Sequence, residues 1–129
     1  MGPASKPKRK VPHLFVLEAL DSLSPEVRPM FSGFAVYVGN RLLLMLRDSL
    51  KTPQDNGVWL VLAEGVDPDD KGLRRELPSL RTIETVRGKI AHWLLIPSDG
   101  DDFEGVALRA CELILRGDRR LGRVPKSRR

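Results

Sequence analysis

Few side chains in this sequence could serve as a nucleophile or a general base. Cys111 is the only cysteine, and His13 and His92 are the only histidines. A nucleophilic cysteine needs a nearby cation or a helix N-terminus to lower its thiol pKa, and the sequence around Cys111 supplies neither. Its apolar neighbours at helical spacing instead predict a buried thiol. His92 lies in an aliphatic run, which favours a core or interface histidine.

Metal and nucleotide chemistry also lack their usual motifs. One cysteine and two histidines without short ligand spacing do not predict a zinc site. The acidic residues at 99–104 lack the twelve-residue loop and distal glutamate of an EF-hand, so helix capping is the favoured interpretation. Neither a dinucleotide fingerprint, a P-loop nor a G-x-S-x-G elbow is present. The sequence therefore predicts a protein that is not an enzyme and holds no cofactor or metal.

Arginines and lysines are the remaining candidates for chemistry. Arg28, Arg41, Arg47 and Arg81 flank the predicted hairpins, either as ordinary strand-end arginines or as an anion site at the rim of the sheet. Ten further basic residues concentrate at the two ends of the chain: Lys6, Lys8, Arg9, Lys10, Arg119, Arg120, Arg123, Lys126, Arg128 and Arg129. Set against Asp118, they give the ends a charge of +9, so the remaining residues carry −4 to reach the net +5.

Two interpretations of these basic ends stay open. Like-charge blocks are often solvated ends, but they also suit a polyanion, because neutralising phosphates releases counterions without requiring a defined fold. The stretch KPKRKV additionally looks like a nuclear import signal. The ten basic residues are therefore candidate nucleic-acid contacts.

Cysteine usage and hydropathy bear on the compartment. A single cysteine excludes an intramolecular disulfide and fits a reducing cytoplasm. The longest apolar run, residues 42–46, is far below the ~20 residues that span a bilayer. Glu18 and Asp21 interrupt the apolar region that follows the basic start, which argues against a signal peptide. We therefore expect a cytoplasmic protein without a membrane segment.

Hydrophobic periodicity predicts the elements that position these residues. Spacings of three and four indicate helices, alternation indicates strands, and Gly39-Asn40 indicates a two-residue hairpin turn. In chain order we predict a helix over 12–23, strands over 34–38, 41–47 and 58–63, a helix from Asp67 to Pro78, strands over 81–87 and 89–96, and a helix from Asp101 to Gly117.

This element order, α-β-β-β-α-β-β-α, predicts one two-layer α+β domain. Its antiparallel sheet would have five strands, with the helices packed on one face. We expect a disordered basic tail over 1–10, the folded domain over 11–117 and a second disordered basic tail over 118–129.

The predicted strands are apolar on both faces, so one face of the sheet is expected to stay uncovered. An open apolar patch of this kind is unusual on a monomer. We therefore expect a homodimer or a protein partner there. The candidate interface residues are Tyr37, Trp59, Val61, Trp93 and Leu95.

The stretch VRPMFSGFAVY at 27–37, followed by Gly39-Asn40-Arg41, resembles the signature of the TfoX amino-terminal-domain family. That signature reads approximately R-x-M-F-G-G, then an aromatic or glycine stretch, a turn and an arginine. The resemblance covers roughly residues 11–117. It implies a two-layer α/β fold and a regulatory, non-enzymatic role beside a DNA-binding activator. We thus expect a binding or regulatory module, with a nucleic-acid-associated transcription regulator as the alternative.

Overall fold

The structure is a computed structural model that describes residues 10–84 and 92–125. The predicted strands over 81–87 and 89–96 lie partly outside these ranges. Six of the ten basic residues lie wholly outside them: Lys6, Lys8, Arg9, Lys126, Arg128 and Arg129. The described elements are α1 (Leu14–Ala19), β1 (Glu26–Met30), β2 (Gly33–Val38), β3 (Arg41–Arg47), β4 (Gly57–Val61), α2 (Lys71–Glu76), β5 (Trp93–Pro97) and α3 (Phe103–Leu115).

The strands form one antiparallel sheet in the order β1-β2-β3-β4-β5, which confirms the predicted α+β class. The predicted hairpin turns at Gly39-Asn40, where Gly39 has the positive φ of 61° that such a turn requires. β1 was not predicted. Its Glu26 and Arg28 are exposed and Pro29 lacks an N–H, so its sequence does not resemble that of a central strand. The same features suit a strand at the edge of a sheet.

Alternation along the strands builds the larger core. Val36, Leu44, Leu60 and Leu94 are paired in register across β2 to β5, and all four are almost fully buried. The helices cover this face with apolar side chains at helical spacing: Val16, Leu73, Val106, Ala110 and Leu113. Burial of this row by the helices is the predicted two-layer arrangement.

The opposite face is buried as well, so the expectation of an uncovered apolar face is wrong. Ala35, Met45, Trp59 and Leu95 are paired in register one residue out of phase with the first row, and none is more than 3% exposed. Of the other interface candidates, Val61 is 0% and Trp93 6% exposed, and Tyr37 is partly buried.

The rings of Trp59 and Trp93 meet edge to face with centroids 6.0 Å apart, and Ile83 and Met30 pack against the same cluster. Periodicity shows that a strand face is apolar, but it cannot show which segment of the chain covers that face. Buried side chains of this kind cannot contact a partner unless the fold rearranges.

The predicted disorder from residue 118 onward is also wrong for residues 118–123. The backbone of this segment lies between the start of β3 and the end of β4. Leu42 and Arg123 exchange two backbone hydrogen bonds of 2.8 and 2.9 Å, and Gly122 N donates to Val61 O at 2.9 Å. Leu121 is only 2% exposed. The apolar Leu121 within a basic run is the sequence signal from which the position of this segment between β3 and β4 could have been predicted.

Two of the candidate nucleic-acid contacts are used within the fold. Arg120 donates to Asp118 (2.6 Å) and Glu76 (3.1 Å), and its guanidinium lies 3.8 Å from Asp70. Hydrogen bonds from Arg120 lower the pKa of both Asp118 and Glu76. Arg123 donates from its side chain to Leu62 O at 3.1 Å. Arg120 is therefore neutralised by carboxylates of the chain, which weakens its case as a phosphate contact.

Candidate partner-binding site at the loop end of the sheet

One end of the sheet carries the most exposed apolar side chains of the described chain. The β1–β2 turn, residues 31–32, and the β3–β4 connection, residues 48–56, lie together there, because Gly33 pairs with Arg47 and Arg47 with Gly57. We call this region the loop end. Phe31 is 75% exposed at the tip of the turn, and Leu50 is 96% exposed in the connection.

The side chain of Arg47 forms hydrogen bonds with both the β1–β2 turn and the β3–β4 connection. Its Nε donates to Ser32 Oγ at 2.8 Å, and its Nη1 donates to Thr52 O at 2.8 Å and Asn56 Oδ1 at 3.1 Å. Nη2 donates to the hydroxyl of Thr52. The residue is only 2% exposed, and burial lowers its pKa while the charge of Asp55 opposes that shift. One buried guanidinium therefore fixes the turn that carries Phe31 to the loop that carries Leu50.

Asn56 holds the loop itself. Its Oδ1 accepts from Ser49 N at 2.7 Å, and its Nδ2 donates to Ser49 O at 3.0 Å. Because the amide bonds both backbone groups of one residue, the conformation next to Leu50 is fixed. Leu50 is consequently presented on an ordered loop although its side chain touches little of the protein.

Asp55 connects the loop end to the segment that follows Leu80. The residue is 0% exposed, and its two carboxylate oxygens accept from Glu84 N at 2.9 and 3.0 Å. Arg81 Nη1 donates to the same carboxylate at 3.3 Å. The carbonyl oxygen of Asp55 also accepts from Trp59 Nε1 at 2.8 Å. The carboxylate is thus a structural centre of the loop rather than a free acid.

Phe31 occupies a backbone conformation that suits glycine. Met30 and Gly33 are paired, so Phe31 and Ser32 form a two-residue turn, and Phe31 has φ of 53°. Two-residue hairpins favour glycine or asparagine at positive φ, and a left-handed conformation costs another residue about 1–2 kcal/mol. Burial does not offset this cost, since the ring is 75% exposed. Strain at an exposed aromatic residue is a reason to look for a binding role.

A groove adjoins the turn. It has a volume of about 470 Å³ and is lined by Lys10, Val11, Pro12, Ser32, Gly33, Phe34 and Asp48. Gly33 is required on this wall, because a Cβ there would lie 2.5 Å from Leu46 O. The loop end therefore combines two exposed apolar side chains with a concave surface beside them.

The four rim arginines do not form one anion site. Arg28 pairs with Glu26 at 3.2 Å and lies over the ring of Tyr37, 4.6 Å from its centroid. Arg41 and Arg47 begin and end β3 and so lie at opposite ends of the sheet. Arg47 is buried and Arg81 is bonded to Asp55, so neither guanidinium is available to a phosphate.

The candidate catalytic groups are also built into the fold. Cys111 is 2% exposed, and burial raises the pKa of its thiol to about 11, which confirms the predicted buried thiol. His13 Nε2 donates to the backbone carbonyl oxygen of Arg47 at 3.0 Å, so the proton of the ring is assigned to Nε2. His92 is partly buried, and burial followed by the charge of Arg123 lowers its pKa. Within residues 10–84 and 92–125, no three metal-ligating side chains come together.

Sequence reasoning missed the loop end because it considered Phe31 only as part of the stretch that resembles the TfoX signature. A usable signal was present in the turn: Ser32-Gly33 follows Phe31 directly, and Gly33 marks a close backbone approach. The residues between the predicted strands over 41–47 and 58–63 were given no predicted element. The Asp55-Asn56-Gly57 end of this segment is where the buried polar contacts are made. Asp99, Asp101 and Asp102 come directly before α3, and Glu104 lies in its first turn. The predicted helix capping is not seen at the N-cap, since the side chain of Asp102 makes no capping bond.

No protein-family model, no curated protein and no solved structure matches the chain. In the parts of the chain that the structure describes, no helix combines the length and apolar character needed to cross a membrane.

Proposed function

We propose that this domain is a non-enzymatic protein-binding module that engages a protein partner through the loop end, with Phe31 as the central anchor and Leu50 beside it. The supporting observation is that Phe31 is 75% exposed while held at positive φ. Aromatic side chains are enriched at protein interfaces, where their burial supplies much of the binding energy. A regulatory role of the kind implied by the TfoX resemblance fits this proposal, since Phe31 lies within the resembling stretch.

The fold favours a different protein over a second copy as the partner. The apolar sheet face expected to form a homodimer is buried. The free edge strand β1 carries Glu26, Arg28 and Pro29, which discourage strand pairing between copies. Dimerisation through Phe31 remains an outcome that the experiment below distinguishes.

Phosphate binding through the basic ends is the second candidate. Lys10 and Arg119 are exposed and available for it, whereas Arg120 and Arg123 are engaged within the fold. Binding of this kind would depend steeply on salt and show little sequence preference.

Site-specific crosslinking tests the proposal. A benzophenone amino acid replaces Phe31 in one sample and Leu108 in another, where Leu108 is a matched control, 41% exposed on α3. In lysate of cells that naturally produce the protein, we expect position 31 to crosslink one discrete protein and position 108 not to. Adding the substitution Leu50→Ser should reduce that crosslink by about tenfold or more.

Three outcomes would contradict the proposal. These are the same products from both positions, no product from position 31, and a product that disappears after nuclease treatment. The last would favour the nucleic-acid alternative. A product of twice the mass of the chain would identify a second copy as the partner instead.

A further inference from the structure

A second cavity lies at the opposite end of β3 from the loop end, and the proposed function does not use it. Its volume is about 400 Å³, within the range of small-molecule sites. The floor is apolar and consists of Leu23, Val38, Leu43, Ile114 and Leu121. Arg41, Arg119, Gly117 and Asp118 complete the lining. An apolar floor beside arginines is a combination that suits an amphipathic anion.

Arg41 is held in place at this cavity. Its Nη2 donates to Leu121 O at 2.9 Å. Its guanidinium also lies against the backbone of Gly122, where a Cβ would come within 2.6 Å of Arg41 Nε and 3.2 Å of Cζ. The inserted C-terminal segment thus fixes the guanidinium, which keeps further N–H donors beyond the one bond to Leu121.

Neither Arg41 nor Arg119 has a carboxylate partner among the described residues. Five other arginines of the described chain do have one: Arg28, Arg74, Arg81, Arg109 and Arg120. Among the described residues that line the cavity, Asp118 is the only acid, and it is bonded to Arg120 at 2.6 Å. The cavity is therefore left with an excess of positive charge.

We propose that this cavity binds a small organic carboxylate that carries an aliphatic chain. The carboxylate would accept from Arg41 and Arg119, because guanidinium N–H groups match carboxylate geometry and form charge-assisted hydrogen bonds. The aliphatic chain would lie on the apolar floor and be removed from water. This site is separate from Phe31, so its failure would leave the proposed function intact, and the reverse also holds.

Calorimetric titration of the full chain tests the site with three probes. Octanoate has both features, acetate has the charge without the chain, and 1-octanol has the chain without the charge. We expect saturable binding of octanoate, with acetate and 1-octanol each weaker by about tenfold or more. Octanoate should also raise the melting temperature, since it binds only the folded state.

Variants locate the binding. Arg41→Gln and Arg119→Gln should each weaken octanoate by about tenfold, whereas Arg75→Gln, an exposed arginine of α2 outside the cavity, should leave it unchanged. Should Arg41→Gln fail to fold, Arg119→Gln still decides, because Arg119 is exposed and its side chain makes no hydrogen bond or ion pair within the described residues. No saturable octanoate binding, binding of acetate or 1-octanol as tight as that of octanoate, or unchanged affinity in Arg119→Gln would overturn the proposal.

Discussion

We expect Arg47→Met to lower the free energy of unfolding by about 3 kcal/mol or more. The substitution removes four side-chain hydrogen bonds. It leaves the partly buried Thr52 O without this donor and the buried Asn56 Oδ1 with Ser49 N alone. Unsatisfied buried polar groups cost about 1–3 kcal/mol each, and this cost dominates because methionine replaces the packing of the stem but none of the bonds. The tie between the Phe31 turn and the loop would be lost as well.

Urea unfolding followed by tryptophan fluorescence measures this effect. The Cζ atom of Arg47 lies 5.8 Å from the ring centroid of Trp59. Loss of the guanidinium should therefore also change the tryptophan emission of the native state. Arg47→Lys should recover only part of the loss, because an ammonium group cannot reproduce the planar fork of donors. Arg75→Met, at an exposed arginine, should stay within about 0.5 kcal/mol. A loss below about 1 kcal/mol for Arg47→Met would contradict the role assigned to this network.

Asp55→Asn should cost about 2–3 kcal/mol. The carboxylate accepts from Glu84 N at both oxygens, and an amide presents an N–H where one of those acceptors stood. Arg81 loses its counter-charge too, but it is 32% exposed, so water compensates part of that loss. For this reason we place the effect below the 3–5 kcal/mol that breaking a fully buried ion pair costs.

The same urea series checks Asp55→Asn, with Asp101→Asn at an exposed aspartate as the matched control. Because Asp55 acts on Arg47 electrostatically, the double variant should lose less than the sum of the two single losses. Strict additivity, or a stability equal to that of the unsubstituted chain, would show that Asp55 is not a centre of the loop end.

The sheet could be predicted from the sequence because alternation is a local property. Val36 and Val38 share a face by the pleat alone, and Gly39-Asn40 fixes the hairpin that follows. Whether the second face stays open could not be predicted in this way. Trp59 and Leu95 are buried in a cluster that also holds Ile83 and Met30, which lie outside β4 and β5, and no periodicity within those strands reports that contact.

The loop end was not predictable for a related reason. Arg47 at the end of a strand usually snorkels to water. Only the fold brings Ser32, Thr52 and Asn56 around it, over separations of five to fifteen residues. The edge strand β1 was missed because its alternating charges and Pro29 argue against a strand, and only the antiparallel partner β2 makes it one.

The most direct test of the central claim, that Phe31 is retained for binding and not for folding, is the free energy of unfolding of Phe31→Gly. Glycine relieves about 1–2 kcal/mol of left-handed strain and loses about 0.5–1 kcal/mol through its freedom in the unfolded chain. An exposed ring contributes little burial to oppose this gain. The account predicts a variant as stable as the unsubstituted chain, or more stable by up to about 1 kcal/mol. A loss of about 1 kcal/mol or more would show that the ring supports the fold, and would contradict the account.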